Sequence, residues 1–319
     1  MNETIPPKLL STIQESYRCQ PSPAVELLVQ RLLSDYSDAV QGILFYGSCL
    51  HKKEDLEGLF DLYILVKDYD AVNRTTMHAL LNRLLPPNVF YMEVPYGQQT
   101  VRAKYAILSL DDLLKGTSRA WFHSYLWARF CQPTLLVWER DSTVAEIVNR
   151  AFAQAVITFV GRVLPSLEQD FSIRELWQKG LELTYRSELR PEQANMQVRL
   201  FDSKPEYFTA VTRHAFDGIS YTVRPHPGHD PDRYIADIPS AVRFSANLSW
   251  ALRIIQGKML SIARLIKGTL TFDGGVEYIT WKIHRHTGVR VEVSPFLKKH
   301  PVLAMFALSL QLFRRGGVK

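Results

Sequence analysis

The sequence predicts an α/β (α+β) fold: a core with a mixed β-sheet, followed by a mostly helical C-terminal part. Two apolar, β-rich runs, 42–48 and 59–66, bracket a polar loop and indicate a pair of buried strands. Helical patterns lie on both sides of this pair, which is typical of a mixed α/β core. From Ser172 onward the apolar spacing is mostly helical.

The first elements follow from local signals. Residues Ser22 to Tyr36 are predicted to form an amphipathic helix, with Ser22 as the N-cap and Pro23 at the first helical position. After the two strands, helical spacing over 71–85 ends at a Pro-Pro pair. Two further runs, 89–94 and 100–110, are predicted to pair across a Pro-Tyr-Gly turn.

Helical and strand patterns continue toward the second half. A helical region is predicted over 111–130 and a short apolar strand over 134–138. A long helix is predicted over 143–164, with Ser142 as its N-cap. We place domain limits at 1–140 for the catalytic part, 141–260 for a helical domain, and 261–319 for a basic, partly amphipathic C-terminal segment.

Composition narrows the class of protein. The 319 residues carry a formal net charge of +6 with a pI near 9.1, which predicts anionic partners such as nucleotides, nucleic acid or acidic lipid. The three cysteines are far apart, so a disulfide framework is excluded as the basis of the fold and a reducing compartment is expected. The first 20 residues lack the apolar core of a signal peptide, and no apolar run reaches the ~18 residues needed to span a bilayer.

The central stretch carries the first candidate site. A single acidic residue, Asp61, stands in the apolar run Leu59 to Val66, and a buried carboxylate needs a cation or a donor. The preceding strand ends at Gly47 and Ser48, where a glycine lets the backbone approach phosphate and the serine can donate to phosphate oxygens. Carboxylate and phosphate oxygens are the ligands that Mg²⁺ prefers. Two core strands joined by a turn remain the alternative interpretation of this short motif.

The Gly-Ser turn followed by a strand Asp resembles the DNA polymerase β-like nucleotidyltransferase superfamily. That superfamily usually has a second carboxylate two positions after the first, where this sequence has Tyr63. The order of several motifs further resembles the mitochondrial-type phosphatidate cytidylyltransferase family, the translocator assembly and maintenance proteins. The motifs are Tyr46-Gly47-Ser48, Asp61 to Val66, Lys104-Tyr105, the Asp111-Asp112-Leu113-Leu114 to Tyr125 helix, Gln132-Pro133, and Ser261 to Thr271.

The resemblance implies a polymerase β-like nucleotidyltransferase core and an enzyme that makes CDP-diacylglycerol from CTP and phosphatidic acid. It implies Mg²⁺ as the cofactor, held by Asp61, and a triphosphate held by Gly47 and Ser48. Lys104 would neutralise phosphate charge. The alternative interpretation is that Lys104 lies at a solvated strand end. Such an enzyme is expected to be cytoplasmic, peripheral at the inner face of the membrane, and bound to anionic lipid.

Further residues are candidates for metal or phosphate binding, and most of them have a structural role as the alternative interpretation. Glu93 is the candidate second metal ligand, with an exposed strand position as the equally weighted alternative. Ser261, Arg264 and Lys267 are candidates for binding a lipid phosphate or the triphosphate, and an ordinary solvated basic face is the alternative for the two cations. Other polar residues are interpreted as loop or helix-start positions: Asp55, Glu57, Asp111, Asp112, His226 and His229.

Two other functions stay open at this point. The acceptor could be another lipid phosphate or a nucleic acid, or the chain could be a non-catalytic adaptor with a degenerate nucleotidyltransferase fold. The sequence lacks the paired aromatic motif of common RNA-binding modules, which argues against nucleic acid. The apolar segment Pro301 to Phe313, flanked by basic residues, predicts either an interfacial membrane helix or a buried C-terminal helix.

Overall fold

The computed structural model describes residues 4–17, 20–47, 58–72, 76–188, 196–228 and 232–271. The described helices are α1 (Pro7–Tyr17), α2 (Pro23–Tyr36), α3 (Thr76–Leu84), α4 (Leu110–Thr117), α5 (Trp127–Phe130), α6 (Ser142–Val163), α7 (Ile173–Arg186), α8 (Met196–Ser203), α9 (Pro205–Ala215) and α10 (Ser240–Thr271). The described strands are β1 (Val40–Tyr46), β2 (Leu59–Val66), β3 (Asn88–Tyr96), β4 (Gln99–Ser109), β5 (Leu135–Glu139), β6 (Asp170–Ser172), β7 (Val223–Pro225) and β8 (Arg233–Ala236).

A five-stranded mixed sheet forms the centre of the first half, in the order β3-β4-β2-β1-β5. Strands β2 and β4 are parallel, whereas the other neighbouring pairs in this sheet are antiparallel. The predicted α+β class is therefore confirmed, including the β1–β2 pair and the β3–β4 hairpin. The predicted start of α2 is confirmed as well, because the Ser22 hydroxyl accepts from the Val25 N–H and Pro23 opens the helix.

A small second sheet, β6-β8-β7, lies within the part predicted to be mostly helical. Its three strands have only three or four residues each. Strands of this length are too short to show an alternating pattern. This sheet was therefore not predicted from the sequence.

Two helix predictions were wrong in detail. The region 111–130 is interrupted: α4 ends at Thr117 and only Trp127–Phe130 is helical again. The chain between them is held by Arg162, which donates to the Arg119 and Phe122 carbonyls. The N-cap of α6 is Asp141 rather than Ser142, since its carboxylate accepts from the Val144 N–H at 3.0 Å.

The apolar core extends from α1 through the sheet to α10 and is centred on α6. The segment Ser142–Ser166, which contains α6, is long and apolar enough to cross a membrane, although no uninterrupted apolar run in the sequence predicts this. Of its most apolar window, 78% is buried inside the protein, which is the environment of a core helix. Phe159 of this helix stacks on Trp177 with ring centroids 4.4 Å apart.

The long helix α10 has two different faces. Its buried face includes Trp250, Arg253 and Lys267. Its exposed face carries a stripe of apolar side chains, each at least half exposed, which we call the α10 stripe: Phe244, Leu248, Leu252, Ile255, Met259, Ile262, Leu265 and Ile266. The predicted segment Pro301 to Phe313 lies outside the described residues, and the domain limits stay a prediction.

Candidate functional site

Asp61 and Lys104 face each other across two neighbouring strands. They are direct partners in the parallel register of β2 and β4, which places both side chains on one face of the sheet. The Lys104 ammonium lies 3.0 Å from the Asp61 Oδ1 atom. This ion pair lacks the alignment of a hydrogen bond, and within the described residues the buried Oδ1 accepts none. Asp61 therefore has an oxygen that can accept a further cation.

Gly47 lies against the same carboxylate. Its φ angle is +90°, a conformation that favours glycine. A Cβ atom at this position would be 2.8 Å from Asp61 Oδ2. The backbone turn after β1 is thus in direct contact with the candidate metal ligand. Ser48, predicted to hold phosphate, lies outside the described residues.

Two tyrosines extend the site along the sheet. Tyr46 is the register partner of Asp61, and Tyr63 follows Asp61 by two positions on β2, so both share its face of the sheet. The ring centroids of Tyr46 and Tyr63 are 5.2 Å apart. Burial raises the pKa of Tyr46 to about 12, so its hydroxyl is neutral at physiological pH. Tyr63, two positions after Asp61, is a buried phenol.

The cation beside these tyrosines is Arg129 of α5. Its Nη1 atom donates to the Tyr63 hydroxyl at 2.7 Å and to the Tyr125 hydroxyl at 3.2 Å. Its guanidinium also lies over the Tyr46 ring, 5.4 Å from the centroid. The Glu188 carboxylate is 4.0 Å from Nη2, an ion pair too long for a direct hydrogen bond.

Tyr125 joins Arg129 to α10. The guanidinium carbons of Arg129 and Arg264 lie 4.4 Å and 3.9 Å from its ring centroid. Burial by itself would raise the pKa of the Tyr125 hydroxyl, but the charges of Arg129 and Arg264 outweigh burial and lower it overall. This direction shows that the surroundings of Tyr125 are electropositive.

The structure separates the roles of the three candidates on α10. Arg264 faces the tyrosines and donates weakly from Nε to the Pro86 carbonyl at 3.4 Å. Lys267 is buried and donates to the Leu85 and Pro87 carbonyls at 2.6 Å and 2.7 Å. Ser261 donates within its own helix to the Gly257 carbonyl at 2.8 Å. The alternative of a solvated basic face is therefore wrong for Arg264 and Lys267, and only Arg264 is placed beside the tyrosines.

Glu93 is placed differently from the candidate metal ligand Asp61. It lies on β3, two strands from β2, and is exposed. Its Oε1 atom accepts from the Tyr91 hydroxyl at 2.7 Å and from Arg102 Nε at 3.1 Å. Glu93 thus already pairs with Arg102 and accepts from Tyr91. This placement matches an exposed strand position better than a second metal ligand.

The remaining candidates have local structural contacts where they are described. Asp111 and Asp112 are in the first turn of α4, as predicted, and Asp112 also accepts from the Tyr69 hydroxyl at 2.5 Å. His226 Nδ1 accepts from the Gly228 N–H at 3.0 Å, which is a loop contact. Asp55, Glu57 and His229 lie outside the described residues.

The donor set fits one metal that shares its coordination with phosphate. In the part of the chain that the structure describes, no group of three or more His, Cys, Asp or Glu side chains could hold a metal alone. Mg²⁺ is often bound by one or two carboxylates together with substrate phosphates and water. Asp61, with a buried oxygen that accepts no hydrogen bond from the described residues, suits that mode of binding.

Neither Arg129 nor Tyr125 was predicted from the sequence as a site residue. A cation between Trp127 and Phe130 in a mostly apolar segment is a signal that could have identified Arg129. Comparison with protein families and with curated proteins finds no family model and no curated protein that matches this chain.

Proposed function

We propose that the chain is a Mg²⁺-dependent nucleotidyltransferase that transfers CMP from CTP to phosphatidic acid and releases pyrophosphate. The observation that carries the chemistry is the contact of Gly47, Asp61 and Lys104 at one edge of β1, β2 and β4. A close backbone turn, a carboxylate with an available oxygen and a lysine form a set that can bind a metal–triphosphate complex. The resemblance to the phosphatidate cytidylyltransferase family supports CTP and phosphatidic acid as the substrates.

The reaction needs little proton chemistry. An oxygen of the phosphatidate monoester forms a bond to the α-phosphorus of CTP, and the bond from that phosphorus to the bridging oxygen of pyrophosphate breaks. A phosphate monoester is ionised at neutral pH, so the enzyme needs no strong general base. Positioning and charge neutralisation supply most of the rate enhancement in such transfers.

The roles of the described residues follow from their contacts. Asp61 would hold Mg²⁺, which when bound would neutralise charge on the triphosphate. Gly47 leaves room for the phosphates to approach the backbone beside Asp61. Lys104, a compact cation, would turn from the Asp61 carboxylate to the phosphate oxygens when the nucleotide binds.

Access to a lipid acceptor would come through the α10 stripe. The sequence of α10 contains no acidic residue, and Lys258 is exposed on it. Apolar side chains together with basic charge favour contact with an anionic lipid surface. This arrangement supports a peripheral enzyme at the cytoplasmic face of a membrane.

The test is a transfer assay with full-length protein, Mg²⁺, α-labelled CTP and liposomes that contain phosphatidic acid. We expect labelled CDP-diacylglycerol and pyrophosphate in equal amounts, and a loss of at least a hundredfold in Asp61→Asn. Asp35→Asn is the matched control, because Asp35 forms an exposed ion pair with Arg31 on α2.

The alternatives give different results in the same assay. If CMP is transferred to another lipid phosphate or to nucleic acid but not to phosphatidic acid, the acceptor in the proposal is wrong and nucleotidyl transfer is retained. Nucleotide binding without transfer to any acceptor would identify a non-catalytic adaptor. Full activity of Asp61→Asn would overturn the role of Asp61.

A further inference from the structure

Among the described residues, the cluster around Tyr125 has more positive than negative charge. Two guanidiniums, of Arg129 and Arg264, lie within 4.4 Å of one ring centroid. The described carboxylate that pairs with Arg129 is Glu188, at 4.0 Å. Among the described residues the Arg264 guanidinium donates a single hydrogen bond, of 3.4 Å, to a carbonyl. The two amino groups of Arg264 donate no hydrogen bond to the described residues.

A nearby histidine, His123, is buried beside the same cations. Burial, together with the charges of Arg264, Arg162 and Arg253, lowers the pKa of His123 to about 3. Arg162 and Arg253 both donate to the Phe122 carbonyl, which fixes them in the structure. The region thus keeps its histidine neutral, and Arg264 is the cation beside Tyr125 that an incoming anion would neutralise.

The cluster is continuous with the candidate site on the sheet. Arg129 contacts Tyr63 by a hydrogen bond and Tyr46 through its ring, and both tyrosines lie on the face that carries Asp61. An anion bound at Tyr125 would therefore be one or two side chains away from the metal ligand. The Arg129 side chain is 13% exposed, so most of the guanidinium lies inside the cluster.

We propose that Arg129 and Arg264, around the ring of Tyr125, form a phosphate-binding subsite for a phosphomonoester or a pyrophosphate group. Arginine suits this role because its planar fork can donate two parallel hydrogen bonds to phosphate oxygens. Glu188 would be displaced from Arg129 by the stronger acceptor. The inference rests on the proposed function, since the subsite belongs to the same site, and it adds Arg129 as a binding residue.

Titration calorimetry on the full-length protein at low salt tests the subsite. One arm uses inorganic pyrophosphate and the other uses dihexanoyl phosphatidic acid, a soluble lipid phosphate. The variants are Arg129→Lys, which keeps the charge and loses the fork, and Arg264→Gln. The matched control is Arg253→Gln, because Arg253 lies on the same helix, is buried and stacks 4.5 Å from the Trp250 ring centroid.

We expect each of the two variants to weaken at least one ligand tenfold or more, and the control to change either affinity by less than threefold. Loss for the lipid phosphate alone assigns the subsite to the acceptor, and loss for pyrophosphate alone assigns it to the nucleotide. Equal affinities in wild type and variants, no binding of either ligand by wild type, or an equal loss in Arg253→Gln would overturn the subsite.

Two further comparisons make the result decisive. If Arg129→Lys does not fold, Arg264→Gln against Arg253→Gln decides the question alone. If the wild type transfers CMP and the variants bind both phosphates with unchanged affinity, the subsite is overturned and the proposed function stands. If phosphate binding depends on the arginines but the protein transfers no CMP to any acceptor, the proposed function is overturned and the subsite stands.

Discussion

Lys104 and Asp61 form an ion pair of 3.0 Å from directly paired positions on the parallel strands β4 and β2. The Lys104 ammonium thus lies beside the same Oδ1 atom that would accept a metal ion. It compensates the carboxylate charge when neither metal nor nucleotide is bound. Under the proposed function, Lys104 would exchange the carboxylate for phosphate oxygens when a metal–nucleotide complex binds.

This exchange predicts opposite effects of one substitution on two ligands. In Lys104→Met, Mg²⁺ should bind severalfold more tightly without nucleotide, because the competing ammonium is removed. Transfer of CMP should fall at least tenfold, because a cation that neutralises phosphate is lost. Calorimetry with Mg²⁺ and the transfer assay measure the two effects, with Lys179→Met as an exposed control. Unchanged metal affinity would contradict the competition.

Gly47 and Gly97 provide a matched pair for the turn beside Asp61. Both have positive φ angles, +90° and +59°, but a Cβ at Gly97 would meet nothing within 4 Å. Gly97→Ala should therefore cost only the backbone strain, about 1–2 kcal/mol of unfolding free energy. Gly47→Ala adds a contact of 2.8 Å with Asp61 Oδ2, so we expect a larger loss of stability and of transfer activity.

Chemical denaturation and the transfer assay measure this pair. Retained activity in Gly47→Ala, with stability equal to that of Gly97→Ala, would show that the carboxylate moves aside freely. In that case the close approach of the turn to Asp61 would not be needed for catalysis.

The predictable part of the site is the part with a local sequence pattern. Gly47 and Asp61 could be identified because Gly47 ends one apolar, strand-forming run and Asp61 interrupts the next. The Arg129–Tyr63 hydrogen bond joins residues 66 positions apart, and Lys267 reaches a carbonyl 180 positions away. Contacts at such distances depend on packing of whole elements, so spacing could not predict them.

Two predictions of helix limits were wrong. The helical pattern over 111–130 continues in the side chains although the backbone leaves the helix after Thr117. Tertiary contacts from Arg162 to two backbone carbonyls stabilise the interruption, and tertiary contacts override propensity. Asp141 and Ser142 are both good N-cap residues, so the sequence pattern does not distinguish which of the two caps α6.

The α10 stripe predicts how the protein binds a lipid surface. Ile255 and Met259 are 58% and 65% exposed, so replacing both with Gln should leave the fold intact. We expect the double variant to lose most of its co-sedimentation with liposomes that contain phosphatidic acid, because the loss of apolar contact weakens interfacial binding. The apolar double variant with Leu at both positions is the control. A change of molecular mass on gel filtration, with lipid binding retained, would assign the stripe to a second copy of the chain.

Lys267 predicts a pH dependence of stability. Burial, together with the neighbouring charge of Arg264, lowers the pKa of its ammonium from 10.5 to about 7. The unfolded chain therefore binds this proton at a higher pH than the folded protein does. Above about pH 10.5 Lys267 is neutral in both the folded and the unfolded protein. Its burial on folding then carries no penalty for desolvating a charge.

As the pH falls from about 10.5 to about 7, the unfolded state gains the proton first, and the free energy of unfolding decreases. Below about pH 7 both states are protonated and the contribution stays constant. The folded protein is therefore expected to gain stability from Lys267 as the pH rises through this window, by on the order of a few kcal/mol. Lys267→Met should remove this rise, and it should also lose the hydrogen bonds to the Leu85 and Pro87 carbonyls.

The measurement is the difference in unfolding free energy between wild type and Lys267→Met at several pH values from 6 to 10.5. The lost hydrogen bonds shift this difference by a similar amount at every pH, whereas the titration changes its slope. Lys179→Met, at an exposed lysine of α7, should run parallel to wild type over the whole range. A constant difference between wild type and Lys267→Met would show that Lys267 keeps its proton in the folded protein throughout, held by the two carbonyl oxygens.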